Sequence, residues 1–343
     1  MRKALDLARA GRHRAQEAEC LYDLAASLQY RGHQRQAYDY ALEAQEKFQL
    51  LDNRPGAVRC LNLIATIFYN TGDFPESLKA IAEALSLTHE IGWRYAEAGL
   101  LVNLGNTHFE LGNFDLAHEV FEQAVSVSRQ IDDLERESVA LDTLGLIDHY
   151  KGQPERARRH YEAALTLAER IKNARNTGYS LTHLGFTLLE LGQPEAASER
   201  FEQALATRRH QGSEASVMDT LTGLAAAAAA RGRAAEAEQH VAQILAWIEA
   251  NGADGLELPV QTYLICYDIL RRAAPNDKQA RQVLQQGHAL LQQRADRIND
   301  AELRRQFLEQ VPFNRQLHAA WLAAHDSPPA GDSVTPTAAG RSM

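Results

Sequence analysis

Apolar residues recur along most of the chain at the spacing of amphipathic helices. They fall at Leu101, Leu104 and Leu111, and the pattern i, i+3, i+4, i+7 starts again after a glycine turn. Glycine supplies the positive φ that ends one helix, and prolines stand where several of the following helices begin. These glycines and prolines predict pairs of helices joined by tight turns. In the second pair, the expected helices cover residues 55–71 and 75–91.

The turn glycines recur at a fixed interval of about 40 residues, a length typical of helix-pair repeats. A small residue follows each glycine after five positions, and a second small or apolar residue follows after twelve. One helix pair of this length cannot bury its apolar face alone, so successive pairs must stack. The sequence therefore predicts an all-α solenoid in which these residues have a structural role. The clearest positions are Gly32, Gly72, Gly112, Gly152, Gly192, Gly232, Ala117, Ala157 and Ala197.

The same interval divides the chain into five parts. They are a half repeat with a second helix only (1–12), six full repeats (13–251), a divergent seventh repeat (252–298), a C-terminal capping helix (299–325) and a disordered tail (326–343). The capping helix is expected to break at Pro312. The tail is predicted from its content of Pro, Ser, Thr, Gly and Ala. The apolar end of the seventh repeat is expected to be covered by Phe307, Leu308, Leu317 and Trp321.

Charge and composition indicate which classes of partner are unfavourable and in which compartment the protein is expected. Basic residues number 36 and acidic residues 45, and this net charge of -9 argues against nucleic acid as the main partner. No apolar run approaches membrane-spanning length, and the N-terminal segment 1–16 lacks the apolar core of a signal peptide. We therefore expect a cytoplasmic protein with no membrane partner. Cys20, Cys60 and Cys266 are interpreted as unpaired structural thiols, because the first two fill the same position in successive repeats.

The third repeat carries the residues on which a family resemblance rests, namely Leu104, Gly105, Phe109, Gly112, Ala117, Phe121 and Ala124. This motif resembles that of tetratricopeptide repeat (TPR) proteins, and repeats four and five match most of it. The period of the repeat is similar to that of long-helix members of the family, including the sensor arms of bacterial signalling ATPases. Residues 298–315 resemble the closing helix of bacterial regulators that join an ATPase or a nucleotide cyclase to a repeat arm. The resemblance implies a right-handed α-solenoid of about seven repeats, with a C-terminal capping helix, that binds a protein or peptide.

In that family the first helix of each repeat lines a concave groove, so the resemblance implies that side chains of this groove bind the ligand. Carboxylates outnumber arginines at these positions, and a partner with apolar and basic side chains is the expected ligand. Amides in the groove offer donors and acceptors to a peptide backbone. The candidate ligand-binding residues are Tyr22, Arg59, Asn62, Tyr69, Asn106, Phe109, Glu110, Asp142, His149, Tyr150, Thr182, Phe186 and Glu190.

The sequence predicts no catalytic residue, no metal site and no cofactor. It contains neither HExxH nor CxxC, and it has no glycine-rich phosphate loop. Asp142 and His149 lie on one predicted helix face, and we interpret this pair as accidental. The favoured function is the sensor or interaction arm of a bacterial signalling or transcriptional regulator. Two alternatives stay open: a free-standing adaptor or peptide receptor, and a structural protein that self-associates through its N-terminal half repeat.

Overall fold

The structure is a computed structural model that describes residues 2–11, 13–253, 255–274 and 278–326. Within these residues it contains 17 helices and no strand. The predicted tail lies outside the described residues from residue 327 onwards. The helices are α1 (Arg2–Ala10), α2 (Arg14–Tyr30), α3 (Gln34–Leu50), α4 (Arg54–Thr71), α5 (Phe74–Ile91), α6 (Arg94–Glu110), α7 (Phe114–Gln130), α8 (Leu134–Tyr150), α9 (Pro154–Arg170), α10 (Ala174–Glu190), α11 (Pro194–Gln211), α12 (Glu214–Ala230), α13 (Ala234–Asn251), α14 (Pro259–Ala273), α15 (Lys278–Asp296), α16 (Ala301–Gln310) and α17 (Pro312–Asp326).

The helices pair into repeats, from α2 and α3 to α14 and α15, and α1 packs on α2 as a single helix. The helices of the second repeat agree with their predicted bounds to within one residue. Each first helix contacts the first helix of the next repeat, whereas the second helices pack against first helices. This order places the first helices on the inner side of the solenoid and the second helices outside. The predicted all-α repeat solenoid is confirmed.

Residues with a left-handed backbone conformation (positive φ) lie in both turns of each of the six full repeats. The six predicted glycines have positive φ, from 69° at Gly152 to 80° at Gly72, a conformation that costs other residues about 1 kcal/mol or more. A second set with positive φ ends the second helices at the same regular interval, and the sequence pattern did not predict it. This set consists of Asp52, Gly92, Asp132, Lys172, Gly212 and Gly252.

In the third to fifth repeats, an aromatic ring of the second helix lies against a glycine of the first helix. A Cβ atom added at Gly105 would lie 2.5 Å from Cε2 of Phe121, and one added at Gly185 would lie 2.5 Å from Cε1 of Phe201. Both rings are fully buried, so neither can move into solvent. The absence of a side chain at the glycine therefore sets how closely the two helices approach. The small residues Ala117, Ala157 and Ala197 are fully buried as well.

The C-terminal helices contact the early repeats as well as the seventh. A break at Val311 separates α16 from α17, and Pro312 opens α17, as the proline predicts. Phe307 is buried in an apolar cluster that includes residues of the seventh repeat. The same cluster contains Phe74 and Leu111, which belong to the second and third repeats. The solenoid thus curls far enough for its C-terminal end to meet its own early turns, an arrangement that a cap on the last repeat alone does not require.

Replacing Gly105 by alanine is expected to destabilise the protein by about 1–3 kcal/mol, because the added methyl group overlaps the ring of Phe121. Gly99 is a matched control in the same helix, since its nearest neighbour is the end of the Arg136 side chain at 3.4 Å. Gly99→Ala should be neutral or should stabilise by up to about 1 kcal/mol. Urea unfolding followed by circular dichroism measures both variants, and equal midpoints would contradict the packing role of Gly105.

Candidate functional site

The inner surface keeps an open strip along the N-terminal and middle parts of the first helices. We define this open strip by six half-buried residues of repeats two to five: Arg59, Asn62, Val102, Asn103, Val139 and Tyr179. At one end, Arg59 lies 4.0 Å over the ring of Tyr22 and pairs with Glu19 at 3.1 Å. Further along, Asn103 Nδ2 donates to Asn62 Oδ1 at 2.7 Å. That bond joins two neighbouring first helices and uses one polar group of each amide.

The half of the inner surface nearer the glycine turns is closed by the C-terminal helices. The rings of Phe109 and Tyr150 have centroids 5.3 Å apart, and Phe313 of α17 packs on Tyr150 at 5.6 Å. Beside them, the Tyr69 hydroxyl donates to Glu110 Oε1 at 3.3 Å. A cavity of about 50 Å³ remains between the two layers. It has room for a few water molecules but not for a peptide. The structure brings these four candidates together, but it places them under the chain's own C-terminal segment.

Three further candidates divide between the open strip and the core. Asn106 is half-buried and lies one helical turn beyond Asn103. Thr182 is 2% exposed and donates its hydroxyl to the carbonyl of Gly178 at 2.9 Å. Phe186 packs edge-on against Phe201, with ring centroids 5.1 Å apart. Of the three, Thr182 is buried, whereas Asn106 and Phe186 are both half-buried.

The predicted neighbours Asp142 and His149 do not meet. His149 Nδ1 lies 3.2 Å from Glu190 Oε2, whereas Asp142 faces His183. Burial, with a smaller effect of His183, lowers the pKa of His149 to about 4, so its ring is uncharged at neutral pH. Burial also raises the pKa of Glu190. The structure gives Asp142 and His149 no joint role.

A buried network of charges, which the sequence did not predict, lies on the inner surface at the fifth repeat. His183 Nδ1 lies 2.8 Å from Asp142 Oδ2, and His183 Nε2 lies 3.2 Å from Glu257 Oε1. The other Glu257 oxygen lies 3.7 Å from Arg208 Nη2. Burial disfavours a charged imidazole, but the carboxylates of Asp142 and Glu257 outweigh it and raise the pKa of His183 to about 10. Two buried cations, His183 and Arg208, therefore share the carboxylate of Glu257.

Glu257 belongs to the irregular segment between α13 and α14, and its backbone is held on the inner surface as well. Its N–H donates to both carboxylate oxygens of Asp219 at 3.2 Å. Burial, reinforced by the Glu257 charge, raises the pKa of Asp219 to about 7. The preceding Leu256 is 5% exposed and belongs to the largest apolar cluster. A backbone N–H, a carboxylate and an apolar side chain thus attach this segment to the first helices.

The carboxylates that were expected to attract a basic ligand are engaged within the protein. Glu19 pairs with Arg59, Glu110 accepts from Tyr69, and Asp142 accepts from the Ser180 hydroxyl and pairs with His183. Glu190 lies beside His149, and Asp219 accepts from the Glu257 backbone. Most acidic residues of the groove therefore have partners within the protein, whereas the side chains of Glu19 and Glu190 stay 47% and 44% exposed. The expectation of basic side chains in the partner stays a prediction.

The repeat pattern could have identified Arg208 as a residue of the site, whereas nothing in the pattern points to Glu257. At the position of Arg208, the other full repeats carry only uncharged residues: Phe48, Thr88, Ser128, Ala168 and Ile248. A Cβ atom added at Gly178 would lie 3.1 Å from Cγ and Nε of Arg208, so this glycine makes room for the arginine. A charged residue at an otherwise uncharged buried position points to a polar site. Glu257 lies in an irregular segment outside the repeat pattern.

The three cysteines are free, as expected, and burial raises the pKa values of Cys60 and Cys266 to about 12. In the part of the chain that the structure describes, no group of three or more His, Cys, Asp or Glu side chains is arranged to hold a metal ion. Across those residues, no helix has the length and apolar character needed to cross a membrane.

Helix pairs that repeat at a constant period, with first helices inside and glycine turns at a fixed position, define a TPR solenoid. A family model described as the MalT-like TPR region matches residues 56–257. The chain belongs to this family. A second family model, described as a C-terminal domain, matches residues 212–324. A comparison with curated protein sequences gave no match.

Solved structures share the fold at low sequence identity. A STAND signal-transduction ATPase with a tetratricopeptide repeat sensor from Pyrococcus horikoshii is 16% identical, with a TM-score of 0.59 over 85% of this chain and 44% of its own. BtubC (BKLC) from P. vanneervenii is 21% identical, with a TM-score of 0.56 over 64% of this chain and 91% of its own. A Rap protein complexed with competence and sporulation factor is 13% identical, with a TM-score of 0.54 over 90% of this chain and 99% of its own. These similarities show the fold alone.

The raised pKa of His183 predicts a specific pH dependence of stability. The folded pKa of about 10 exceeds the ordinary value of 6.5, so the stabilising charge is fully present below about pH 6.5 and is lost as the pH rises towards 10. The wild type should therefore melt well above His183→Gln at about pH 7, and this gap should narrow by about pH 10. Differential scanning calorimetry measures the gap, with the exposed His210→Gln as control. A gap that is constant across this range would contradict a charged His183.

Proposed function

We propose that this chain is the sensor or interaction arm of a bacterial signalling or transcriptional regulator, and that it binds a peptide or protein segment on its inner surface in the cytoplasm. The TPR fold supports an interaction scaffold. Membership of the MalT-like TPR family, and a fold shared with a STAND ATPase that carries a TPR sensor, support the role of an arm. In this proposal the seven repeats and the C-terminal helices (13–325) act as one non-catalytic binding unit.

The observation that carries this proposal is that the inner surface already holds a non-helical stretch of the chain. Leu256 enters the core, while the Glu257 N–H bonds to Asp219 and the Glu257 carboxylate faces His183. An extended peptide presents the same kinds of group, since its backbone N–H groups and alternating side chains are all available. A surface that binds the irregular segment therefore has the chemistry to bind a peptide.

The open strip gives such a peptide a place to lie. Asn62 and Asn103 offer amide donors and acceptors, Val102 and Val139 offer apolar contacts, and Tyr179 lies at the far end. The half of the inner surface nearer the glycine turns is closed to a ligand, because the C-terminal helices cover it. We therefore place the ligand along the N-terminal and middle parts of the first helices.

The double variant Asn62→Ala, Asn103→Ala is expected to weaken peptide binding by roughly thirtyfold, because each of the two amides loses a hydrogen bond to the peptide that contributes on the order of 1 kcal/mol. Removing both amides leaves neither partner of their mutual hydrogen bond unpaired, so the fold should be little affected. Peptides selected from a random displayed library on the immobilised wild-type chain supply the ligands. Fluorescence anisotropy of these peptides, labelled with a fluorophore, measures the dissociation constants.

The matched control is Gln123→Ala, Ser126→Ala, which removes two exposed polar side chains from the outer helix α7. It leaves the net charge unchanged, as does the double asparagine variant. We expect the control to bind the selected peptides as the wild type does. Equal affinity of wild type, control and the asparagine variant would show that the peptides bind elsewhere and would sink the proposal.

A further inference from the structure

We infer that His183 and Arg208 form a binding site for a carboxylate group of the peptide ligand, and that Glu257 of the chain itself occupies this site in the free protein. The inference rests on the proposed function, because it names the chemical group that the inner surface recognises. It follows from four features of the site: a fixed arginine, two buried donors without hydrogen bonds, the charge balance and the attachment of Glu257.

The fold holds Arg208 in one orientation. Its Nη1 donates to the Ser216 carbonyl at 2.7 Å and to Thr220 Oγ1 at 3.1 Å. The guanidinium also lies 5.1 Å from the ring centre of Tyr179. These contacts leave Nη2 on the side of Glu257, where it is buried and makes no hydrogen bond. Arg208 is 2% exposed, so bulk solvent does not reach its guanidinium.

His183 presents a second donor to the same carboxylate. Its Nδ1 is taken by Asp142, while its Nε2 is buried and makes no hydrogen bond, although Glu257 Oε1 lies only 3.2 Å away. The distance is short enough, so the alignment is what fails. Two buried donors thus converge on one carboxylate, at 3.2 and 3.7 Å, but neither contact has well-aligned hydrogen-bond geometry. Because aligned charge-assisted hydrogen bonds are the strong ones, a carboxylate free to align with both donors should bind better than Glu257 does.

The charges at this position favour an anion. His183 and Arg208 are buried cations, and the carboxylate of Glu257 lies between them, 3.2 Å from His183 Nε2 and 3.7 Å from Arg208 Nη2. Removing one member of a buried group of paired charges is unfavourable. A carboxylate that takes the place of Glu257 would restore the pairing.

Glu257 is attached in a way that lets its side chain leave. Its side chain is 27% exposed, and it borders the small cavity beside Phe109 and Tyr150. Its backbone is held separately, through the N–H bond to Asp219 and the burial of Leu256. Rotation of the side chain alone can thus vacate the site while the segment stays in place.

The site lies at the end of the open strip, and this position indicates which group of a peptide ligand would reach it. The strip ends at Tyr179, which stacks on His183 with ring centroids 6.3 Å apart. A peptide that follows the strip would therefore bring an acidic side chain, or its own C-terminal carboxylate, to His183 and Arg208. Both sources present the same planar group with two oxygens, which matches two converging donors.

The test is rescue of Glu257→Ala by an external carboxylate. This variant should melt below the wild type, because it leaves two buried cations without their shared anion. Sodium propionate at about 50 mM should restore roughly 2–4 °C of the lost Tm relative to equal sodium chloride. The control Glu249→Ala removes an exposed glutamate of α13 and should show neither the loss nor the rescue.

Propionate that fails to raise the Tm of Glu257→Ala, or raises that of Glu249→Ala equally, would overturn the inference. Adding His183→Gln to Glu257→Ala should abolish the rescue, because one of the two donors is gone. If Glu257→Ala does not fold in sodium chloride, refolding carries the same test, since sodium propionate and not sodium chloride should then yield folded protein.

Three capped tripeptides separate the two sources of the carboxylate. Acetyl-Gly-Glu-Gly-amide carries only a side-chain carboxylate, acetyl-Gly-Gly-Gly carries only a C-terminal one, and acetyl-Gly-Gln-Gly-amide carries neither. One of the first two, and not the third, should raise the Tm of Glu257→Ala. Library peptides that need Asn62 and Asn103 but bind regardless of an acidic group would overturn the carboxylate site while supporting the proposed function. Propionate rescue without any peptide bound on the strip would support the site and sink the proposed function.

Discussion

The close approach of paired helices, set by aromatic rings that lie on glycines, is the constraint on which the rest of the structure depends. Phe121 on Gly105 and Phe201 on Gly185 fix the spacing within a repeat, because neither ring nor backbone can yield. The same geometry recurs in successive repeats, so the curvature accumulates along the chain. It finally brings the C-terminal helices back to the turns near Phe74 and Leu111. The inner surface is therefore partly enclosed by the protein itself.

That enclosure divides the inner surface into parts with different roles. The half nearer the glycine turns is buried under α16 and α17, with Tyr150 packed against Phe313. The other half remains as the open strip, and the irregular segment before α14 lies at its far end. At this end of the strip, His183 and Arg208 are buried cations that need a carboxylate as their partner. The chain supplies one from Glu257, which makes the segment both part of the fold and a model for a ligand.

Much of the fold was predictable because it depends on local and periodic features. Gly112 and its counterparts end helices through a positive φ, and Pro312 breaks the terminal helix, so both can be recognised in sequence. The second set of turn residues was missed because three repeats carry Asp52, Asp132 and Lys172 there instead of glycine. Aspartate and lysine do not identify a left-handed turn in a sequence. Closure of the solenoid was missed because it depends on the summed curvature of many repeats, which no single repeat encodes.

The candidate site was only partly predictable for a related reason. The repeat pattern locates the first helices, and through them Asn62, Asn106 and Asp142, but it does not show which carboxylates are already paired. Glu257, which pairs with His183, lies outside the repeat pattern and is far from His183 along the chain. Amide hydrogen exchange of residues 255–258, which precede α14, measures whether the inner surface holds non-helical polypeptide. We expect the Glu257 amide to exchange as slowly as amides in the middle of α10, because it donates to buried Asp219. Exchange as fast as in an unstructured chain would contradict this expectation.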